Sequence, residues 1–581
     1  MGSIPAEQKH AIGFVGLGAM GFGMASNLLK DGFDVTGYDL NLATLERFGN
    51  LGGSVAKTIC AASKGKPLFF LMVATPEQVD SVMFTDKDGA IFTLPQRAIV
   101  CIFSTLHPSY VTGLPQRLAA YGRSDISLLD CPVSGGMVGA INGTLSIMLG
   151  GDDSIIQQVE PALKAVSAPN RLFRCGPLGS ASAVKMLNQH LAGIHVVVAA
   201  ETLAFAKAVG LSSRDAHKIL MESAASSWIM GDRGRNMLDA NWTPRSAVSI
   251  FVKDMGIVNE VSDQLEFSCP IASAAYLVFL ERLARGNGGL DDASVVCNYE
   301  DVTGTPVFES QRDETLTLES DIPVYPGIST IFIAETDSTS SILVEATNSL
   351  TVISPDNSEK VMKRLNGLAD KSLVGLCSLD NYIGIGENIR SSHPSFQLFD
   401  YNLVPSSDYS SYQKLLFSTD DDYAVIIQHL KSVLPLHIKP VPIQGGLGSA
   451  SKMYAVVRLA SLVHIVATAE CYSLARARGV SCQLVYDLIA GAAGSSTQFN
   501  HFYLDMLHQT TTEKSQSGLD TFGEALADLQ HIKRIMRGLK FPGRLLDAAH
   551  QVFKGTGGRY NIGNASVAAV VDFWEGGKDR Q

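Results

Sequence analysis

Lys185 and Asn188 stand three residues apart in GSASAVKMLNQ (Gly179–Gln189), a stretch otherwise made mostly of small and apolar residues. On a helix that spacing puts both side chains on one face. Burial disfavours the charged form of an amine, so a lysine there is partly neutral near pH 7. It can then take the hydroxyl proton that an alcohol must lose when its carbon also gives up a hydride. A second group, Ser134-Gly135-Gly136, exposes backbone N–H groups that suit a carboxylate. A third, Gly16-Leu17-Gly18-Ala19-Met20-Gly21, follows an apolar run, opens a helix-like segment and precedes an acid, Asp39, at the end of the next strand-like run. That context is what the dinucleotide fingerprint requires. Gly16 allows the tight turn, Gly18 lets the backbone approach a pyrophosphate, and Gly21 lets helix and strand pack closely. The helix N-terminus adds N–H groups and a positive end for phosphates. Asp39 accepts hydrogen bonds from a ribose hydroxyl and repels a 2′-phosphate, so NAD is favoured, with NADP as the second choice.

These groups need elements to hold them. Ala11–Val15, Phe33–Tyr38, Pro67–Val73, Ala98–Phe103, Ile126–Asp130 and Leu145–Leu149 read as strands, and Gly23–Lys30 as the first helix. Apolar runs with little alternation, separated by helical patterns, predict a doubly wound sheet of the α/β Rossmann type over residues 1–176. An all-α helical domain is expected over 177–298. The acidic, proline-punctuated stretch 299–326 reads as a linker. A worn, degenerate Rossmann-like domain is expected over 327–441 and a second helical domain over 442–581, so the architecture reads as a tandem duplication.

The duplication is visible in the residues. LGSAS opens at Leu178 and again at Leu447, His195 recurs as His464, and Glu201 as Glu470. At the same offset Lys185 becomes Tyr454, Asn188 becomes Val457 and Trp228 becomes Thr497. Asp152-Asp153 returns as Asp421-Asp422, and Asp254 can be laid on Asp528, which puts Lys253 opposite Ala527. Laying Phe14 on Phe332 puts Ala334, Thr336 and Thr339 where the three glycines stood, where side chains would fill the space a pyrophosphate needs. One working site per chain is expected, in the first half, with no dinucleotide in the second. His195 and Glu201 persist in the copy that lost the lysine, so they read as structural. Trp228 reads equally well as pocket lining or as core.

Of the 581 residues, 46% are hydrophobic and 18% charged, which suits a packed globular chain. The net charge of -11 offers no footprint for nucleic acid or anionic lipid. Nine scattered cysteines without a CxxC pair read as reduced thiols, and no metal-ligand spacing is present. The longest apolar stretch, near Leu191–Val209, is broken by His195, Glu201 and Lys207, so it reads as a buried helix. The N-terminal residues have no apolar signal core, and Ala6 breaks the myristoylation pattern. A cytoplasmic protein is expected.

Four motifs in order resemble the β-hydroxyacid dehydrogenase family, with 3-hydroxyisobutyrate dehydrogenase and, more distantly, 6-phosphogluconate dehydrogenase among its members. They are GFVGLGAMGFGMASNL (Gly13–Leu28), Ser104-Thr105 in STLHPS, DCPVSGGMVGAINGTL (Asp130–Leu145) and GSASAVKMLNQ (Gly179–Gln189). The resemblance covers about half the chain. It implies that Lys185 is catalytic, that Ser134, Gly135 and Gly136 hold the substrate carboxylate with help from Asn188 and Gln189, and that Thr105 and Lys253 lie by the cofactor. One departure stands out. The family usually has a second asparagine where this chain has Gln189, whose extra methylene pushes the amide outward. The resemblance further implies an NAD(P)-dependent oxidoreductase moving a hydride between nicotinamide and a small carboxylate-bearing hydroxyacid or its semialdehyde. The alternatives are a ketone or imine reductase of a specialised pathway and a non-catalytic dinucleotide-binding protein. Because helical domains pair between subunits in this family, the second half is expected to act as a fused partner, an intrachain pseudo-dimer, with further homo-oligomerisation left open.

Overall fold

The computed structural model describes residues 11–310, 330–334, 373–377, 389, 391–392, 395–405, 412–421, 423–434, 438–508, 521–558 and 563–575. By contacts the chain forms two compact units. The first takes its described residues from Met1–Ile194, Thr243–Asp292 and Glu470–Ser495; the second from His195–Trp242, Ala293–Ala469 and Ser496–Gln581.

The first unit is built on a nine-stranded sheet. Its centre is β1 (Ala11–Val15), parallel to β2 (Asp34–Tyr38) on one side, and β2 pairs onward with β3 (Ser54–Val55). On the other side follow β4 (Leu68–Leu71), β5 (Ile99–Ile102) and β6 (Ser127–Asp130), all parallel. The sheet ends in β7 (Val133–Ser134), β8 (Leu145–Gly150) and β9 (Ser167–Gly176), where β8 runs antiparallel to β6 and β7. Alternate residues of one strand enter two separate cores. Leu68 and Phe70 of β4 join Ile12, Phe14 and Met24 on one face, while Phe69 and Leu71 join Val15, Val100 and Ile102 on the other. Both faces are therefore covered, which is why these strands read as unbroken apolar runs. The six strands expected from the sequence are present; β3, β7 and β9 are additional. Two of these are two residues long, and β9 carries a polar Ser-Ala-Pro-Asn-Arg start that lacks a strand pattern.

The helices begin with α1 (Gly21–Lys30) after the glycine turn and α2 (Gly136–Asn142) after the Ser134 turn. Next come α3 (Ser180–Ala208), α4 (Val248–Gln264), α5 (Pro270–Arg282) and α6 (Cys297–Thr303). The later set is α7 (Ser449–Ala477), α8 (Thr497–Leu507), α9 (Phe522–Gly538) and α10 (Arg544–Gly557). α3 and α7 are both 29 residues long, and α4 and α9 are both 17. Equal lengths at matching starts bear on the looser pairing of Asp254 with Asp528, because the two acids occupy the same turn of α4 and α9. α3 and α7 are long and apolar enough to cross a membrane, yet both are largely buried in the protein, as core helices are.

In the second unit a five-stranded sheet has the order β10 (Thr330–Ala334), β11 (Leu373–Cys377), β12 (Gln397–Pro405), β13 (Tyr412–Ser418) and β14 (Lys439–Pro442). Only the β12–β13 pair is antiparallel. Thr336 and Thr339 lie outside the described residues. The first residues of the stretch expected as a linker are helical. Cys297–Thr303 is helical and Tyr299 is fully buried, donating to the Glu201 carboxylate, so an aromatic anchor holds the start of this stretch in the core. The compact units also cut across the sequence blocks, because segments of each helical block pack with the other.

Candidate active site

The glycine turn is shaped as a phosphate cradle. Gly16 has φ +92, and a Cβ there would stand 2.2 Å from the Met72 carbonyl oxygen; one on Gly21 would stand 1.8 Å from the Gly16 carbonyl oxygen. These glycines are required by close backbone packing. Gly18 differs: a Cβ there would meet nothing within 4 Å, so its face is open to a ligand. Leu17 is buried, and its N–H donates to Asp39 Oδ2 at 2.7 Å. Ala19 and Met20 complete the turn into α1. Asp39 Oδ1 accepts from the Asn41 N–H at 2.8 Å, so this carboxylate is fixed at the end of β2. The cradle, the helix start and the fixed acid fit a dinucleotide.

At the far end of the sheet, Gly135 and Gly136 have φ +127 and +60, and Ser134 beside them is buried. Four residues before this turn stands an acid to which the sequence reading gave no role. Asp130, fully buried at the end of β6, accepts from the Ser182 N–H at 2.6 Å and the Ser182 hydroxyl at 2.8 Å. A carboxylate at the positive end of α3 is worth about 1 kcal/mol or more. Burial raises its pKa to about 6, against the opposing pull of the Ser182 donors. The cap sets the start of α3 against the sheet and thereby places Lys185 one turn later. Its signal in the sequence was the return of the pair as Asp400 and Ser451, where the Ser451 N–H donates to Asp400 at 2.8 Å.

Lys185 is 7% exposed, and burial lowers its pKa to about 8; Asp254 opposes that shift and Lys253 assists it. Around it runs a connected set of polar groups. Lys253 Nζ donates to the Thr105 carbonyl oxygen at 2.6 Å and forms an ion pair with Asp254 Oδ1 at 2.7 Å. Gln189 Nε2 donates to Asp254 Oδ2 at 2.5 Å, and Asn188 Nδ2 donates to Gln189 Oε1 at 2.9 Å. The Gly494 N–H then donates to Asn188 Oδ1 at 3.3 Å. Gln189 thus serves as a bridge. Its amide reaches Asp254, a residue the sequence reading paired with Asp528 in the repeat without giving it a place in the site. Gly494 belongs to the second copy and was not foreseen; a Cβ there would lie 3.0 Å from the Asn188 carbonyl oxygen and 3.1 Å from Leu191 Cβ. Trp228, by contrast, is 45% exposed at its helix start, so it is not core packing.

The repeated Glu residues hold helix ends. Glu470 accepts from the Ile271 and Ala272 N–H groups at 3.0 and 2.9 Å and from His190 Nε2 at 2.8 Å, capping α5. Glu201 accepts from the Leu545 and Leu546 N–H groups at 3.0 and 3.1 Å, capping α10. His195 and His464 pack edge to face with centroids 4.4 Å apart.

Comparison with known proteins follows this geometry. Residues 11–178 match the family described as the NAD binding domain of 6-phosphogluconate dehydrogenase. Residues 179–299 match that described as NAD-binding of NADP-dependent 3-hydroxyisobutyrate dehydrogenase. L-threonate dehydrogenase of Cupriavidus necator is 34% identical over 286 residues, covering 49% of this chain and 94% of that protein. The enzyme of the same name from Escherichia coli K12 is 33% identical over 296 residues, covering 50% and 95%. A 6-phosphogluconate dehydrogenase from Plasmodium falciparum matches 94% of this chain and 92% of its own at TM-score 0.50 and 12% identity, a likeness of fold alone. The glycine cradle, the Ser134 turn and the buried Lys185 all lie in the half that matches relatives over nearly their whole length, and the chain belongs to the β-hydroxyacid dehydrogenase family.

Proposed function

We propose that this chain is an NAD(P)-dependent dehydrogenase of small carboxylate-bearing hydroxyacids, with one site built from Ser134, Gly135, Gly136, Lys185, Asn188 and Gln189. The observation that carries this reading is the Lys185 amine: buried, depressed to about 8, and within electrostatic reach of Asp254 and of Lys253, which itself donates to the Thr105 carbonyl oxygen. Gly16, Leu17, Gly18, Ala19, Met20, Gly21, Asp39, Thr105 and Lys253 would hold the dinucleotide, and the fixed Asp39 favours NAD over NADP. When bound, the nicotinamide supplies the acceptor or donor of the hydride. Lys185, neutral, takes the proton from the substrate hydroxyl; protonated, it returns it in the reverse direction. Asn188, held between Gly494 and Gln189, presents its amide beside that amine, and Ser134 with the two glycine N–H groups orients the carboxylate. The test is NAD(P)H-linked turnover with L-threonate, 3-hydroxyisobutyrate and tartronate semialdehyde. Turnover of at least one is expected; none, with cofactor still bound, overturns the reading. In Gly18→Val, which fills the open face of the cradle, the cofactor Kd should rise at least about 100-fold with little change in Tm.

The second half serves in this reading as a fused partner, forming an intrachain pseudo-dimer. Support comes from Gly494 on Asn188, Glu470 on α5 and Glu201 on α10. A chain ending at Asn298 would leave each of these without its partner. It should be insoluble or nearly inactive, and a soluble, monomeric, fully active fragment would refute the role. Residence in the cytoplasm is part of the same reading, supported by nine free cysteines.

A further inference from the structure

We propose that Arg171 forms the distal wall of the substrate pocket and selects hydroxyacids that carry a second anionic group, a carboxylate or a phosphate. This rests on the reading of the Ser134 and Lys185 site above. Arg171 lies on β9, and its Nε donates to Ser146 Oγ at 2.8 Å. Ser146 stands directly opposite Ser134 in the β7–β8 ladder. Opposed residues of an antiparallel pair share a face, with Cβ atoms about 5 Å apart. The guanidinium is thus tethered beside the turn expected to hold the first carboxylate.

Its two terminal nitrogens are the unexplained part. The guanidinium carbon lies 4.9 Å from the Phe173 ring, and among the described residues no carboxylate pairs with it. Arg174, three residues on, has Asp153 at 2.5 Å and Glu160 at 3.3 Å. An unpaired, half-buried cation beside a substrate pocket fits an anion. A facing loop comes close to the same two nitrogens without supplying a carboxylate. A Cβ on Gly491 would stand 3.6 Å from one terminal nitrogen and 4.0 Å from the other, with nothing else within 4 Å. Gly491 and Gly494 are three residues apart, so the Arg171 and Asn188 ends of this loop lie within about 11 Å of each other. A four-carbon acid spans roughly 6 Å between terminal oxygens. Such a substrate can meet Lys185 with its hydroxyl, the Ser134 turn with one carboxylate and Arg171 with its other end.

The test compares three substrates of one carbon chain on the full-length protein: L-threonate with one charge, L-tartrate with a second carboxylate, and L-threonate esterified at C4 with phosphate. Each is measured with the native chain, Arg171→Gln and Gly491→Asp, the last placing a carboxylate against the guanidinium. The native chain should prefer tartrate or the phosphate ester over L-threonate by about 10-fold or more in kcat/KM, and which one it prefers identifies the anion. Both variants should raise KM for that dianion by about 30-fold with kcat nearly unchanged, and should alter L-threonate turnover less than about 3-fold. No dianion preference in the native chain, or an equal loss on all three substrates, overturns the proposal. Should nothing turn over, the functional reading fails separately. Calorimetric titration of the NADH-loaded protein with L-tartrate and with inorganic phosphate then decides. Binding by the native chain and not by Arg171→Gln upholds the anion site; equal binding or none removes it.

Discussion

The sites around Lys185 and Tyr454 occupy the same turn of two helices of equal length, yet one presents a free amine and the other is filled. Around Lys185, Asp254 is held by Lys253 and by the Gln189 amide. Around Tyr454, Asp528 is held by Arg458 Nε at 2.6 Å, with the Tyr454 hydroxyl at 3.3 Å. Arg458 stands where Gln189 stood, Val457 replaces Asn188, and Ala527 replaces Lys253. An arginine neutralises the acid outright and is itself buried, so no amine or amide is left for a ligand. What both copies keep is the scaffold: the Asp130 and Asp400 caps, and the Glu470 and Glu201 caps. In both copies the acid at the centre is held by neighbouring side chains, and the two copies differ in which side chains neutralise it.

The largest effect expected from this contrast is on Lys185. In Lys185→Ala, kcat should fall about 1,000-fold while cofactor affinity, read by NADH fluorescence, stays within a factor of two. Retained turnover would place the two copies on the same footing. Next in size are the caps. In Glu470→Leu and Glu201→Leu, two backbone N–H groups lose their acceptor in the core, at a cost of about 2–3 kcal/mol each, measured as a shift in denaturant midpoint. Similar costs are expected, since the two carboxylates do the same work; a large inequality would break the symmetry of the scaffold.

A smaller effect concerns pH. Lys185 must be neutral to accept a proton, so kcat/KM for oxidation should rise as pH passes through about 8, and reduction should fall over the same range. Lys253→Ala removes the cation that helps depress this amine and leaves Asp254 to raise it. The inflection should then move upward by about one pH unit. An unmoved inflection would mean that burial alone sets the value. The smallest effect is expected in the filled copy. For Tyr454→Phe, activity should change less than about 2-fold and stability by about 1 kcal/mol at most. Loss of turnover there would mean that the second copy still takes part in the reaction.

Much of this was legible along the chain. The cradle showed because three glycines stand at fingerprint spacing between a strand-like and a helix-like run, and Lys185 with Asn188 showed because a three-residue spacing on a helix shares a face. Duplication showed because identical scaffold residues recur at one offset. Asp130 stayed hidden because its partner Ser182 is 52 residues away. β9 was missed because its polar start shows no alternation, and most of α6 was read as linker because acidic and polar residues surround its one buried tyrosine.

Local pattern therefore carried the family resemblance, the glycine turn and the candidate amine, since each motif behind them is a short run of residues along the chain. Tertiary structure alone decided what surrounds that amine. Gly494 reaches Asn188 from 306 residues away, Glu470 reaches α5 from nearly 200, and Arg171 meets Gly491 across a comparable gap. No spacing rule foretells such meetings, because they depend on which distant segments of the chain fold into one compact unit.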